Sequence, residues 1–329
     1  MTTSGNEPFV VAAIQAAPIF LDRDATIDKA CKLIAEAGSA GAKLAVFPEC
    51  FIPTYPLWVW FIRPAETRAL RELYSELLEN AVEIPSGPVD RLREAAREAG
   101  LVVAIGVNER NSESSGATLF NSTLVIGADG DIIGKRRKLM PTVGERIVHG
   151  QGDGSTLEVF ETEFARLSCL TCWENYMPLA RYAMWAWGAQ FLLAPTWDRG
   201  EPWLSTLRHT AKEGRVYVLG CCSAMHRDDI PDRYSFRESI PPDVEWVNPG
   251  DSVIINPDGK ILAGPVKNEE AILYAEIDPR ELRGPRFQLD VAGHYGRPDI
   301  FQLTVDRRER PAIRTLDELD DAPEEPEQG

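Results

Sequence analysis

Basic residues are in short supply. Thirty-five lysines and arginines face 51 aspartates and glutamates, a formal net charge of −16 over 329 residues. That balance argues against nucleic acid or an anionic membrane as partner. Nor is there an uninterrupted apolar run approaching the length of a bilayer span. The apolar opening FVVAAIQAAPIF has no basic segment before it and is interrupted by Gln15. It therefore reads as a core strand rather than a signal peptide, and a cytoplasmic protein is expected. The six cysteines are scattered, which excludes a disulfide scaffold. Histidines number four (His149, His209, His226 and His294), and none sits at an obvious strand end. What remains is ordinary for a soluble globular chain, 44% hydrophobic and 26% charged, long enough for one large α/β domain or two small ones.

The chain's pattern is strand, helix, strand. Phe9–Ala16 reads as a buried strand, and Asp22 or Asp24 can cap a helix whose Ile27, Ala30, Cys31, Ile34 and Ala35 make one stripe. Lys43–Phe47 is a second strand, stopped by Pro48, which opens a doubly covered α/β sheet. Helices are expected over Pro64–Asn80, Val89–Ala99 and Trp203–Arg215, with a strand over Leu101–Val107. Further strands are expected in AQFLLAPTWDRG, which ends in a polar rim at Thr196–Asp198, and in VYVLGCCSA. Two segments, NSTLVIGADGDIIGKRRK and GDSVIINPDGKILAGPVK, each place an Asp-Gly turn between apolar strands. They read as hairpins at equivalent positions in two similar halves of a sheet sandwich. Met225–Gly250 reads as a long loop, and the compact fold is expected to end near Asp306. The last fifteen residues, with seven acidic side chains and no basic one, read as a disordered tail.

The stretch RLSCLTCWENYM, Arg166–Met177, organises the rest. A short buried strand turns there into the helical PLARYAMWAWGA, with Cys172 at the junction. A thiol beside the unpaired amides that open a helix is suited to nucleophilic attack, although a lone cysteine is more often an inert buried residue. The C-x-x-C formed with Cys169 raises a redox or zinc reading. Cys169 still lies in the strand, however, and the adjacent Cys221 and Cys222 have the wrong spacing for a second ligand pair.

Other polar groups recur at strand ends. Glu49 follows the second strand, on the rim where ligands collect in α/β sheets. In the run Lys135-Arg136-Arg137-Lys138, alternation puts Arg136 and Lys138 on one side and Lys135 and Arg137 on the other. Glu145 follows shortly after, and the glycine-rich GQGDG reads as a flexible loop, not a phosphate cradle. A buried carboxylate can take a thiol proton and an ammonium can stabilise developing negative charge. Glu174, next to the thiol, is expected to oppose thiolate formation. The aromatic cluster Phe51, Tyr55, Trp58, Trp60 and Phe61 reads as core, subunit interface or pocket wall.

Four segments in order, FPE at Glu49, RKLMPT at Lys138, CWENYMPLAR at Cys172 and GHYGRPD from Gly293, carry a resemblance. The chain resembles the nitrilase branch of the carbon–nitrogen hydrolase superfamily over residues 9 to about 305. The resemblance implies an α/β fold, a four-layer αββα sandwich, with residues 1–306 as the hydrolase domain and 307–329 as a tail. It implies Glu49 as general base, Lys138 as electrostatic stabiliser, Cys172 as nucleophile and Glu145 as the glutamate that holds the lysine. It also implies hydrolysis of a small nitrile to acid and ammonia, with amidase or nitrile hydratase-like activity as the alternative. No metal or organic cofactor is expected, and self-association to a dimer or a higher, spiral assembly is. Tyr55, Trp173 and Trp197 are expected near the mouth, leaning toward an aryl or arylaliphatic substituent. His149 stands where related sequences often carry tryptophan.

Overall fold

A computed structural model describes residues 7–311 and 313. The tail expected from residue 315 lies outside the described residues.

The first half runs β1 (Phe9–Gln15), α1 (Arg23–Ser39), β2 (Ala42–Val46), α2 (Thr67–Glu79), α3 (Gly87–Ala99), β3 (Val102–Arg110), β4 (Leu119–Ile126) and β5 (Ile132–Arg137). The second runs β6 (Val159–Glu161), β7 (Arg166–Cys169), α4 (Pro178–Ala186), β8 (Phe191–Thr196), α5 (Glu201–Gly214), β9 (Tyr217–Cys222), β10 (Ala224–His226), β11 (Trp246–Ile255) and β12 (Ile261–Lys267). β13 (Ala271–Ile277) and the short α6 (Arg283–Gln288) follow. Local chemistry sets several boundaries. The Asp22 carboxylate accepts from the Ala25 amide at 2.9 Å and starts α1. Pro88 opens α3, and Gly100, at φ 63°, closes it in the left-handed region.

Among the described residues these strands form two sheets. One has the order β13-β1-β2-β3-β4-β5, and the other has β10-β11-β9-β8-β7-β6 with β12 also on β11. The parallel trio β1-β2-β3 matches β7-β8-β9, and the expected hairpins, β4-β5 and β11-β12, do occupy equivalent places. Alternation along each strand divides the apolar residues into layers. Ala12, Ile14, Phe47 and Ile105 face Ile27, Ile34 and Leu92 of α1 and α3. Val11, Leu44, Val46 and Ala104 meet Leu167, Leu193 and Leu219 between the sheets. Leu192, Val218 and Val253 face Met184 of α4 and Trp203 and Leu207 of α5. The result is the expected αββα sandwich.

Several boundaries differ from expectation. α2 begins at Thr67 rather than Pro64. Met225–Gly250 is not all loop, because Ala224–His226 and Trp246–Pro249 pair as antiparallel strands. The GQGDG segment is packed, not free: the Gly152 amide donates to the Lys138 carbonyl at 2.9 Å. Beyond Asp306 the chain is still tied down, with the Arg310 amide donating to Asp153 at 2.8 Å.

Candidate active site

At the carboxyl end of the parallel strands, segments from both sheets converge. Glu49 lies just past β2, where the turn is pressed against β3. A Cβ at Gly106 would meet the Pro48 carbonyl at 2.2 Å, so only glycine permits that approach. Lys138 extends β5, and its amide donates to the Asn121 carbonyl of β4 at 2.8 Å. Glu145 sits in a 3₁₀ turn, Val143–Ile147, where its carboxylate also accepts from the Thr142 amide at 2.9 Å. Cys172 opens a second 3₁₀ turn, Cys172–Tyr176, at φ 54°. That left-handed backbone costs a non-glycine residue roughly 1 kcal/mol or more, the kind of strain that collects at reactive turns.

The side chains meet as a buried cluster. Lys138 Nζ donates to Glu49 Oε1 and to Glu145 Oε2, both at 2.7 Å. Asn121 Nδ2 donates to Glu49 Oε1 at 2.7 Å, and the Trp197 amide to Glu49 Oε2 at 2.8 Å. Tyr55 Oη donates to Glu145 Oε1 at 2.8 Å. Glu49, Lys138, Glu145 and Cys172 are all buried. Burial raises the Glu49 pKa against the lowering pull of Lys138, so this carboxylate is more basic than an ordinary one. Burial pulls Lys138 down, but Glu49 and Glu145 outweigh it and hold the ammonium charged. The Cys172 thiol is pushed well up, first by burial and then by Glu49, with Lys138 opposing. A neutral resting thiol beside a basic carboxylate is the arrangement for concerted deprotonation and attack.

Glu174 acts otherwise than expected. Its carboxylate accepts from Arg136 at 2.7 Å, from the Leu139 amide at 2.7 Å and from the Thr171 amide at 2.8 Å. It is the counter-ion of the inward-facing Arg136 and ties the Cys172 turn to the end of β5. The charge that raises the thiol pKa is that of Glu49, after burial. Asn175 donates to the Leu170 and Cys172 carbonyls at 2.7 and 2.9 Å and closes the same turn. The alternation expected in the basic run holds: Arg136 and Lys138 are buried, whereas Lys135 and Arg137 bind Glu109 at 2.6 and 2.7 Å on the other side. Cys169 lies in the intersheet core with its pKa raised to about 11 by burial, apart in environment from Cys172.

Cys172 and Glu145 of this cluster line a cavity of about 260 Å³, with Glu49 and Lys138 behind them. Tyr55, Trp173 and Trp197 all line it, with Leu57, Trp60 and Phe61. Tyr55 stacks on Trp197 with ring centroids 4.5 Å apart and 5° between planes. Trp58, by contrast, is core. His149 is buried beside the cluster, not in the cavity lining. Asn108 Nδ2 donates to the Ile52 and Thr54 carbonyls, so its oxygen faces His149, and His149 Nε2–H donates to it at 2.8 Å. Burial holds the imidazole neutral, with its pKa lowered to about 4.

The described residues contain no helix long and apolar enough to cross a membrane. The pattern of the carbon–nitrogen hydrolase family matches residues 10–286. An aliphatic nitrilase of Sinorhizobium fredii is 41% identical over 309 residues, 93% of this chain and 98% of that protein. A bifunctional nitrilase/nitrile hydratase of Lupinus angustifolius is 42% identical over 313 residues, 93% of this chain and 88% of that protein. Among solved structures, a nitrilase-superfamily protein of Saccharomyces cerevisiae superimposes with a TM-score of 0.69 at 20% identity, covering 90% of this chain and 99% of its own. An amidase from Nesterenkonia sp. AN1, carrying the acetamide moiety of fluoroacetamide on its active-site cysteine, gives 0.64 at 18% identity, with 87% and 97% covered. The chain therefore belongs to the carbon–nitrogen hydrolase family, in its nitrilase branch.

Proposed function

We propose that the protein is a nitrilase, converting a small organic nitrile and two waters to the carboxylic acid and ammonia. The observation that carries this reading is the buried Glu49, Lys138, Glu145 and Cys172 cluster, two members of which, Cys172 and Glu145, line a cavity, in a chain about 40% identical to proteins named nitrilases.

In this mechanism Glu49 takes the thiol proton as Cys172 Sγ bonds to the nitrile carbon, and the nitrogen is protonated to give a thioimidate. Water adds to that carbon, and ammonia leaves once its nitrogen carries the extra proton, so a thioester remains. A second water, deprotonated by Glu49, expels the thiol as the acid forms. Lys138 and the Trp173 amide meet the negative charge that develops on nitrogen and then on oxygen. General-base catalysis of this kind contributes about 10²–10⁴-fold and one such donor about 10²–10³-fold. Glu145 balances and orients Lys138. Tyr55, Trp173 and Trp197 wall the substrate, and the small cavity favours a compact nitrile over a bulky aryl one. No metal or organic cofactor enters the scheme.

Amide release is a side path of the same tetrahedral intermediate, in keeping with the bifunctional name of the lupin relative. We also place the hydrolase unit within residues 1–306, in the cytoplasm, as a homo-oligomer. Exposed Tyr176, Met177, Leu179, Phe287 and Phe301 support self-association. Light scattering showing only a 36.6 kDa species would remove that part. The function itself is tested by measuring acid, amide and ammonia from a nitrile panel and the matching amides. Acid and ammonia from nitriles, lost in Glu49→Gln, is the expected result. Turnover of amides alone would overturn it.

A further inference from the structure

The cavity's chemistry is uneven. Its walls are aromatic and aliphatic, Cys172 and Glu145 of the cluster reach into it, and two further charged residues, Asp198 and Arg199, complete its lining just past the end of β8. These two differ in how far their bonding capacity is already used. Asp198 Oδ2 accepts from Trp173 Nε1 at 2.9 Å and from Tyr176 Oη at 3.0 Å, and Oδ1 accepts from the Arg199 amide at 2.8 Å. The Asp198 carboxylate is thus committed to holding the aromatic wall. The Arg199 guanidinium forms no ion pair or hydrogen bond among the described residues. Lys138, the other cation of the site, is already bound by two carboxylates.

The base from which Arg199 projects is fixed, although the side chain itself is exposed. Three consecutive amides are anchored: Asp198 to Thr196 Oγ1 at 2.7 Å, Arg199 to Asp198 Oδ1 at 2.8 Å, and Gly200 to Asp251 Oδ2 at 2.8 Å. Asn248 Nδ2 holds the Trp197 carbonyl at 2.8 Å on the preceding residue. An arginine with five free donors, presented from an anchored turn on the cavity lining while the nearby Lys138 is buried and spent on two carboxylates, matches a carboxylate.

Resting on the nitrilase reading, we propose that Arg199 is a specificity-determining residue and that the substrates are nitriles bearing a carboxylate at the end remote from the cyano group. The cyano carbon sits at Cys172, the intervening methylenes lie along the Tyr55 and Trp197 stack, and the carboxylate meets Arg199 at the mouth. Arg199 does not touch the reacting atoms, so it contributes binding shared by ground and transition states. Its effect falls on KM more than on kcat.

The test compares ω-cyanobutanoate, neutral hexanenitrile and cationic ω-aminopentanenitrile, in wild type, Arg199→Gln and Arg199→Glu. The kcat/KM ratio of the cyanocarboxylate to the neutral nitrile should fall roughly two- to fivefold in Arg199→Gln, the scale of an exposed charge contact. It should fall further in Arg199→Glu, and in the wild type it should shrink as ionic strength rises. A wild type that prefers the aminonitrile would assign the mouth to Asp198 and overturn the proposal.

A second measurement is independent of nitrile chemistry. 5-Iodopentanoate and 5-iodopentanamide both alkylate a thiol, forming an Sγ–C bond as iodide leaves and the proton passes to a base, and both carry their polar group at the end remote from the reacting carbon. They differ chiefly in charge. Peptide mapping of the rate at Cys172 should show the iodopentanoate-to-iodopentanamide ratio falling in Arg199→Gln. An unchanged ratio overturns the proposal whatever the nitriles do. A changed ratio with no turnover of any nitrile by the wild type would instead overturn the nitrilase reading and leave the anion-binding role of Arg199 standing.

Discussion

Glu174→Gln isolates a bond network on which the geometry of the nucleophile rests. Both Glu174 and Arg136 are fully buried, and the carboxylate accepts three hydrogen bonds that link the Cys172 turn to the end of β5. Glutamine keeps the shape but cannot serve all three. Its oxygen can still take the bonds from Arg136 and the Leu139 amide, but its NH₂ then faces the Thr171 amide donor to donor. The Arg136 charge also loses its compensation, keeping only the bond to the Arg137 carbonyl. Breaking a buried pair from one side costs about 3–5 kcal/mol. For a chain of this size that corresponds to a fall in melting midpoint of roughly 4–7 °C. The loosened turn should also lower kcat/KM by up to about 10²-fold, the cost of a misplaced reacting group. Adding Arg136→Met to the variant removes the orphaned charge and should recover part of the stability but not the activity, since the Thr171 anchor stays broken. The assay is thermal unfolding of the four proteins of this cycle, paired with initial rates. A single variant melting with the wild type would show that Glu174 is not the counter-ion of Arg136, and the account of the turn would fall.

Cys172→Ala should abolish turnover and leave the melting midpoint near wild type, whereas Cys169→Ala should keep most activity; equal loss in both would revive a joint role for the two thiols. Glu145→Gln should slow turnover and raise the amide fraction, because Lys138 then lacks one balancing charge; an unchanged rate and product ratio would remove Glu145 from the site. His149 has a folded pKa of about 4 against about 6.5 for a free imidazole. Between those values the unfolded chain takes up a proton that the folded chain refuses, so stability is full above about pH 6.5 and falls as pH drops toward 4. This residue accounts for at most about 3 kcal/mol of that fall. His149→Gln should flatten the drop in urea midpoint between about pH 7 and pH 4.5, and a drop as steep as the wild type's would refute the assignment.

How much of this was legible beforehand follows from what each signal depends on. Continuous apolar runs in Phe9–Gln15 and Phe191–Thr196, the Asp-Gly turns, the Asp22 cap and the side-to-side alternation of Lys135–Lys138 are all local. They follow from backbone geometry within a few residues, and so the strands, hairpins and inward Lys138 could be read directly. The rim positions of Glu49 and Cys172 followed from where strands stop. Partnership could not be read, because it is settled by residues distant in the chain. Glu174 stands 38 positions from Arg136, and that separation is why the sequence assigned its charge to Cys172. His149 and Asn108, Trp197 and Asn248, and the strand pairing that replaces the expected loop after Met225 are likewise long-range. Asp198 stood in the expected polar rim and Arg199 just outside it, and only packing against Trp173 and Tyr176 left the first committed while the second lines the cavity unpaired. The chain by itself determined which elements form and which reactive groups reach the rim, since those depend on local propensity and period. The tertiary structure decided which charge neutralises which and what remains available to a substrate, since electrostatics in a buried site depends on neighbours that the chain brings together only on folding.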